Sequence, residues 1–511
     1  MRLRLPVIAA STAALVVGLL ASVPASQASD APRETVPVPA IAPIPTGPIF
    51  TGALQDLKER DYFEREYVVT VTNPQVYAYV GDSTDVTVTP APPSPQGDYR
   101  SRIIVRAPVN PADFNGRVLV EMMNTTTTVD LDIAWEHSHD YLMREGWAYV
   151  AITVQQTGIN ALQGFTRAPE RYRSLGLNLM TPVAAADAAQ GARDPSLAWD
   201  LTSQVGALIA RGGATSPLQG YGVRATYLTG QSQMAGYAVT YVNAIHPRHQ
   251  VFDGFLVSYR GIRATNLQYA APVDGTVPNT SASVAQRRLA GGGTPVINLQ
   301  TESDPLGFPS GDDSALWRPD ANSDTDRFRL WEITGSSHND RWGAEQALSI
   351  LERDFGLPFK PACDWVAPSG VNAFPTRFAW NAAIESLAAW HEKGTAPAIG
   401  ARIERAGGQI VRDAAGNALG GIRLSPVDVP VATRGPISEG GLFCPLTGFQ
   451  TPFTTSTLKA LYPTKVDYAR DVRKAAKGDV VAGFLLKADA AELMRLARRG
   501  PAKEAQTIRE Y

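Results

Sequence analysis

The chain has 511 residues, 44% of them apolar and 19% charged, enough for one large domain with additions or for two domains. Forty-seven basic side chains stand against forty-nine acidic ones. That balance argues against nucleic acid or an anionic membrane surface as a partner.

In chain order, the first 28 residues read as an export signal. Arg2 and Arg4 form a positive start, PVIAASTAALVVGLLASV an apolar run, and Ser26-Gln27-Ala28 a small-residue cleavage point. The run is short for the ~20 residues of a membrane-spanning helix. The expectation is a secreted or periplasmic, cell-envelope protein with no membrane attachment after cleavage. Residues 29–60 are a proline-rich leader, in which Ala31 to Pro48 is predicted as an extended tether. Cys363 and Cys444 are the only two cysteines. An oxidising compartment favours their pairing, and closing a loop of about eighty residues stabilises by about 4 kcal/mol in the chain-entropy model. Two separately buried thiols are the alternative.

Residues 61–356 read as the core. EYVVTVT, DVTVTPA and YRSRIIVRAPV are short alternating runs that predict antiparallel strands. From residue 116 apolar runs alternate with helical stretches, which predicts an α/β fold: a mostly parallel sheet with helices on both faces. The predicted strands are 116–124, 147–155, 223–230, 252–261, 294–305 and 327–340. The predicted helices are 132–146, 197–213 and 233–247. Residues 156–195 carry no clear pattern and are long for a connection, so they are a candidate lid. Residues 357–511 read as a C-terminal α+β extension packed on the core, with two helices closing the chain.

TGQSQMAGY, residues 229–237, falls between a predicted strand and a predicted helix. The nucleophile elbow of α/β hydrolases is G-x-S-x-G in that context. Gly230 and Ser232 fit; Met234 stands where the second glycine is usual. Methionine is unbranched at Cβ and flexible, so it can bend away from a tight turn. A serine nucleophile needs a base, and the base needs a carboxylate, in the chain order serine, acid, histidine. Of six histidines, His137, His139, His246 and His249 come too early, and His391 lies inside a helical pattern. His338 in GSSHND, after a strand, is the candidate base. TESD offers two acids; Asp304 at the loop position is favoured and Glu302 is the alternative. Backbone N–H groups of Gln233 and of Thr125, within NTTTT, are the candidate oxyanion donors.

EHSHD places His137 and His139 two apart on a helix, where they do not share a face. No further histidine cluster completes a zinc site, so no metal and no organic cofactor are expected. A non-catalytic binding protein on the same fold is a competing reading.

The stretches GQSQMAGYAVTYVNAIHP, DGFLVSYRG, TESDP, RLWEITGSSHND, DAAGNALGGIRL, DVPVATRG and LYPTKVDYARDV together resemble a bacterial family of exported "alpha/beta hydrolase domain" proteins. They span most of the chain from about residue 100 onward. The resemblance implies an α/β-hydrolase fold with a serine triad, carried here by Ser232, His338 and an acid of TESD. The family usually has a small residue at the position of Met234. The expected activity is cleavage of a carboxylic ester, small or polymeric, through an acyl-enzyme. An amidase or acyltransferase would use the same residues.

Overall fold

The computed structural model describes residues 34–72, 74–79, 87–90, 98–166, 168–177, 195–211, 213–261, 264–267, 288–304, 318–356, 370–439 and 444–507. Ten strands form one sheet: β1 (Ala40–Pro43), β2 (Tyr62–Val71), β3 (Tyr99–Pro108), β4 (Arg117–Met122), β5 (Ala148–Ile152), β6 (Ala225–Gln231), β7 (Gly254–Ser258), β8 (Val296–Thr301), β9 (Ala321–Ser323) and β10 (Asp326–Ile333). Their spatial order is β1-β2-β3-β5-β4-β6-β7-β8-β10-β9. The six strands from β5 to β10 across the middle run parallel; β1, β2, β3 and β9 are antiparallel to their neighbours.

The central strands are apolar on both faces, as a sheet covered on both sides requires. Val118, Val120 and Met122 of β4 point into one cluster, while Leu119 points into the other. Two cores result, one per face. The first is closed by α3 (Ala198–Arg211) and α4 (Gln233–Thr240). The second is closed by α1 (Ile133–Arg144) and by α6 (Thr376–Lys393), whose Trp380 and Trp390 are wholly buried.

Two sequence expectations change. The proline-rich leader is no tether where it is described: β1 pairs with Tyr67–Thr70 as an edge strand, and Val36, Ile44 and Phe50 are buried. An edge strand tolerates prolines because one row of its N–H groups needs no partner. The expected irregular lid begins instead with α2 (Gln156–Gly164), which buries Ile159, Ala161 and Leu162. Its two glycines hid a short amphipathic repeat. Residues 178–194 of that segment, the export signal and Cys363 lie outside the described residues. Cys444 is buried at the start of a short helix. No helix among the described residues is long and apolar enough to cross a membrane.

The C-terminal extension includes the long helices α7 (Lys465–Ala482) and α8 (Lys487–Ala497). It also continues the edge of the sheet: Ile422 bridges Ile333 of β10 in parallel. A small hairpin, Arg405–Ala406 with Gln409–Ile410, turns at Gly407-Gly408, both at positive φ.

Arg102 of β3 ties the antiparallel wing to the loop after β4. Its buried guanidinium donates to Phe50 O at 2.7 Å, Glu66 Oε1 at 3.2 Å and Asp130 Oδ2 at 2.9 Å. Removing one member of a buried ion network leaves the others uncompensated, at a cost of about 3–5 kcal/mol. Arg102→Met is therefore expected to lower the unfolding free energy measured in urea by that order; an unchanged value would show that the two carboxylates find other partners.

Candidate active site

The strand order reverses between β4 and β6: the chain leaves β4 toward β5 on one side and returns through β6 on the other. Crevices beyond the carboxyl ends of strands at such a switch point are where open α/β sheets bind ligands. Asn124 and Thr125 follow β4 there, and Ser232 follows β6. Asn124 Nδ2 spans the gap, donating to the Gln231 carbonyl at 3.0 Å and to Gln231 Oε1 at 3.2 Å.

Ser232 has φ 57° and ψ −113°, a conformation a non-glycine residue adopts only when its surroundings hold it. The Ser232 N–H extends the β6–β7 ladder to Ser258 O at 3.0 Å, and its carbonyl accepts the Ala235 N–H at 3.0 Å. So the strand ends and the helix begins on one residue. Gly230 makes this possible, because a Cβ there would lie 2.4 Å from the Met234 carbonyl oxygen and 3.1 Å from Met234 Cβ. The Met234 side chain turns into the core and is wholly buried. Methionine is thus accommodated at the fifth position by the absence of a side chain at the first.

Ser232 Oγ lies 2.8 Å from His338 Nε2, and His338 Nδ1 lies 2.6 Å from Asp304 Oδ1. Asp304 Oδ2 accepts the Thr301 N–H at 2.7 Å, which fixes the carboxylate at the end of β8. The His338 N–H donates to Ser303 Oγ at 2.7 Å. Of the residues singled out in the sequence, Ser232, Asp304 and His338 come together in one chain of hydrogen bonds, and Ser232 is half-buried while the other two are buried.

Glu302 faces elsewhere. Its Oε2 accepts the Gly335 N–H at 2.7 Å and its Oε1 pairs with Arg412 Nη2 at 2.9 Å. Burial raises its pKa, against the lowering pull of Arg412. Glu302 thereby clamps the histidine loop to the C-terminal extension, two positions away from Asp304. Gly335, at φ +80°, is held closely: a Cβ would meet Val427 Cγ2 at 2.6 Å. Asn372 Nδ2 donates to the Gly335 carbonyl at 2.9 Å, and Asp340 caps α5 (Arg341–Phe355) through the Gly343 N–H at 2.9 Å.

The N–H of Gln233, first residue of α4, has no acceptor among the described residues. Thr125 N–H is already engaged, donating to Gln233 Oε1 at 3.2 Å. Sequence reasoning missed this side-chain contact, along with Ser303, Asn124 and Gln155. No spacing signal marks such residues, which are polar side chains in loops or at element ends. His137 and His139 each bond an i−4 carbonyl through Nδ1, at 2.9 Å and 3.1 Å, and stack on Trp380 and Trp342. Burial lowers the pKa of both. Among the described residues no group of three or more histidine, cysteine or carboxylate side chains converges as a metal site would require.

A cavity of about 330 Å³ behind the histidine loop is lined by Arg341, Trp342, Phe374, Arg377, Phe378 and Arg434, among others, and by none of Ser232, Asp304 or His338. The candidate site is defined by the hydrogen-bonded array and not by that hollow.

The chain belongs to the alpha/beta hydrolase domain family, whose model matches residues 34–495. Similar solved structures include a cold-adapted esterase from an Arctic intertidal metagenomic library, at 14% identity over 53% of this chain and 84% of that one, TM-score 0.28. The LpqC poly(3-hydroxybutyrate) depolymerase of Bordetella parapertussis is 13% identical over 51% and 88%, TM-score 0.27. A glucuronoyl esterase of Teredinibacter turnerae is 14% identical over 44% and 46%, TM-score 0.23. No curated protein matches the chain. The family match and the sheet order together make this a hydrolase of α/β-hydrolase fold.

The two acids separate by experiment. Asp304→Asn is expected to lower kcat by about 10³–10⁴-fold, since a triad histidine loses its correct tautomer. Glu302→Gln should leave kcat within about tenfold while destabilising the fold by about 1–3 kcal/mol, the cost of a mismatched buried partner. A larger kcat loss for Glu302→Gln would reverse the assignment.

Proposed function

We propose that the chain is an exported serine hydrolase that cleaves a carboxylic ester through an acyl-enzyme. The observation that carries this reading is the Ser232–His338–Asp304 array, at 2.8 Å and 2.6 Å, on a turn with positive φ. Ser232 Oγ attacks the acyl carbon as its proton passes to His338 Nε2. Asp304 accepts the Nδ1–H, fixing the tautomer and stabilising the imidazolium. The oxyanion is met by the N–H groups of Gln233 and Thr125. Collapse of the tetrahedral species expels the alcohol, which takes its proton from His338. Water then repeats the sequence on the acyl-serine, returning Ser232 to its hydroxyl form and releasing the carboxylic acid. Every proton in this cycle has a named donor and acceptor, so the chemistry calls for no metal or organic cofactor. The substrate is a small or polymeric ester; neither nucleic acid nor, once the signal is cleaved, a membrane takes part.

The test is intact mass after treatment with a fluorophosphonate. A single adduct is expected on the parent and none on Ser232→Ala, whose turnover should fall to background. An adduct that persists in the variant would place the reactive group elsewhere. Export rests on residues 1–28. The mature N-terminus recovered from a host's periplasm or medium should begin within a few residues of Ser29, and retention of an uncleaved chain in the cytoplasm would refute it.

A further inference from the structure

The backbone N–H of Thr125 carries one proton, and in the structure that proton is already taken. It points to the side-chain carbonyl of Gln233 at 3.2 Å, and the Thr125 hydroxyl oxygen lies 3.2 Å from the same atom. The amide of Gln233 has to present oxygen here, since its NH2 end would set donor against donor. The hydroxyl of Thr125 also donates to Gln155 Oε1, and Gln155 Nε2 donates to Tyr237 Oη at 2.6 Å. With the single hydroxyl proton directed to Gln155, the Thr125 N–H is what holds the Gln233 carbonyl.

Gln233 therefore has two ends in the same place. Its backbone N–H is one oxyanion donor, and its side-chain oxygen occupies the other donor, Thr125. This rests on the reading of Ser232 as nucleophile. We propose that the Gln233 side chain is a resident acceptor in the oxyanion hole, which the substrate oxygen must displace.

The exchange has a direction. A ground-state ester carbonyl is a neutral acceptor no stronger than the carboxamide oxygen it replaces, so displacement yields nothing at the binding step. The oxyanion of the tetrahedral species is charged, and charge-assisted hydrogen bonds are roughly twice as strong. The substrate carbonyl displaces the competitor on binding, so its cost falls equally on the ground and transition states. Gln233 is on this account a residue that raises KM and leaves kcat nearly untouched.

The experiment compares the parent with Gln233→Ala and with Gln233→Met, which keeps the side-chain length without the acceptor, using p-nitrophenyl acetate as probe. Fluorophosphonate labelling of each protein runs in parallel. Expected is a fall in KM of roughly 3- to 10-fold in both variants, the order of one net hydrogen bond, with kcat within about twofold. An alkyl boronic acid, which presents an anionic oxygen to the same donors, should bind the variants more tightly by the same factor. Gln233→Glu, which strengthens the competitor and adds charge, should depress kcat/KM instead. If labelling persists at Ser232 but KM is unchanged or kcat falls in both Ala and Met, the side chain positions Thr125 or is idle, and the proposal is overturned. If the folded parent is not labelled at Ser232, the nucleophile reading itself fails and this inference falls with it.

Discussion

Everything at this site depends on one close approach, the packing of Gly230 against the backbone of Met234. The chain has to leave a central strand and enter a helix within a single residue. That residue is Ser232, at φ 57°. A conformation of this kind costs of order 1–3 kcal/mol and persists only where the surroundings over-determine it. Here the strand ladder holds Ser232 from one side and the start of α4 from the other, while the buried Met234 side chain anchors the helix in the core. The strain is tolerable because β6 sits in the middle of a ten-stranded sheet with a packed core on each face.

His338 and Asp304, the proposed base and acid, are positioned by a different device. They sit on loops, and loops are fixed only by their hydrogen bonds. Ser303 receives the His338 N–H, Thr301 donates its N–H to Asp304, and Glu302 grips Gly335 while pairing with Arg412. All four consecutive residues of TESD take part in this cross-bracing of two loops. Arg412 comes from the C-terminal extension, which also adds a bridge at the end of β10. The extension therefore contributes rigidity to the histidine loop.

The alternation of apolar runs with helical stretches made the parallel sheet and its crossover helices legible, because each central strand is buried on both faces and reads as a continuous run. Ser232 and His338 were legible for a related reason: a strand end followed by small residues has few structural explanations. Three things were not. The strand Ala40–Pro43 looks like tether, since proline density hides the fact that an edge strand needs only half its N–H groups. The helix Gln156–Gly164 is masked by two glycines in nine residues. Asp304 and Glu302 differ by two positions in one loop, and only the loop's three-dimensional turn decides which carboxylate faces the ring. The contact between Thr125 and the Gln233 side chain is beyond sequence altogether, because it joins residues 108 apart through a side-chain rotamer.

The order of the functional residues follows from the spacing of strands. Adjacent strands lie about 4.8 Å apart, so β8 stands roughly 10 Å and β10 roughly 14 Å from β6 along the sheet. The histidine follows the end of β10 by five residues, a reach of at most about 17 Å even if fully extended. The loop must therefore run back across the ends of β8 and β7, and it can do so only over small side chains, which is the place of Gly335, Ser336 and Ser337. Asp304, three residues beyond β8, bonds the ring through Nδ1 at 2.6 Å. The proposed oxyanion donors come from the opposite side, from β4 and β6, which are neighbours only because the chain reverses direction across the sheet between them. Serine and donors on one flank, acid and base on the other, converge at the switch point. The contact between Thr125 and Gln233 is then a consequence of the same topology: the two proposed donors are close enough for a glutamine side chain to span them.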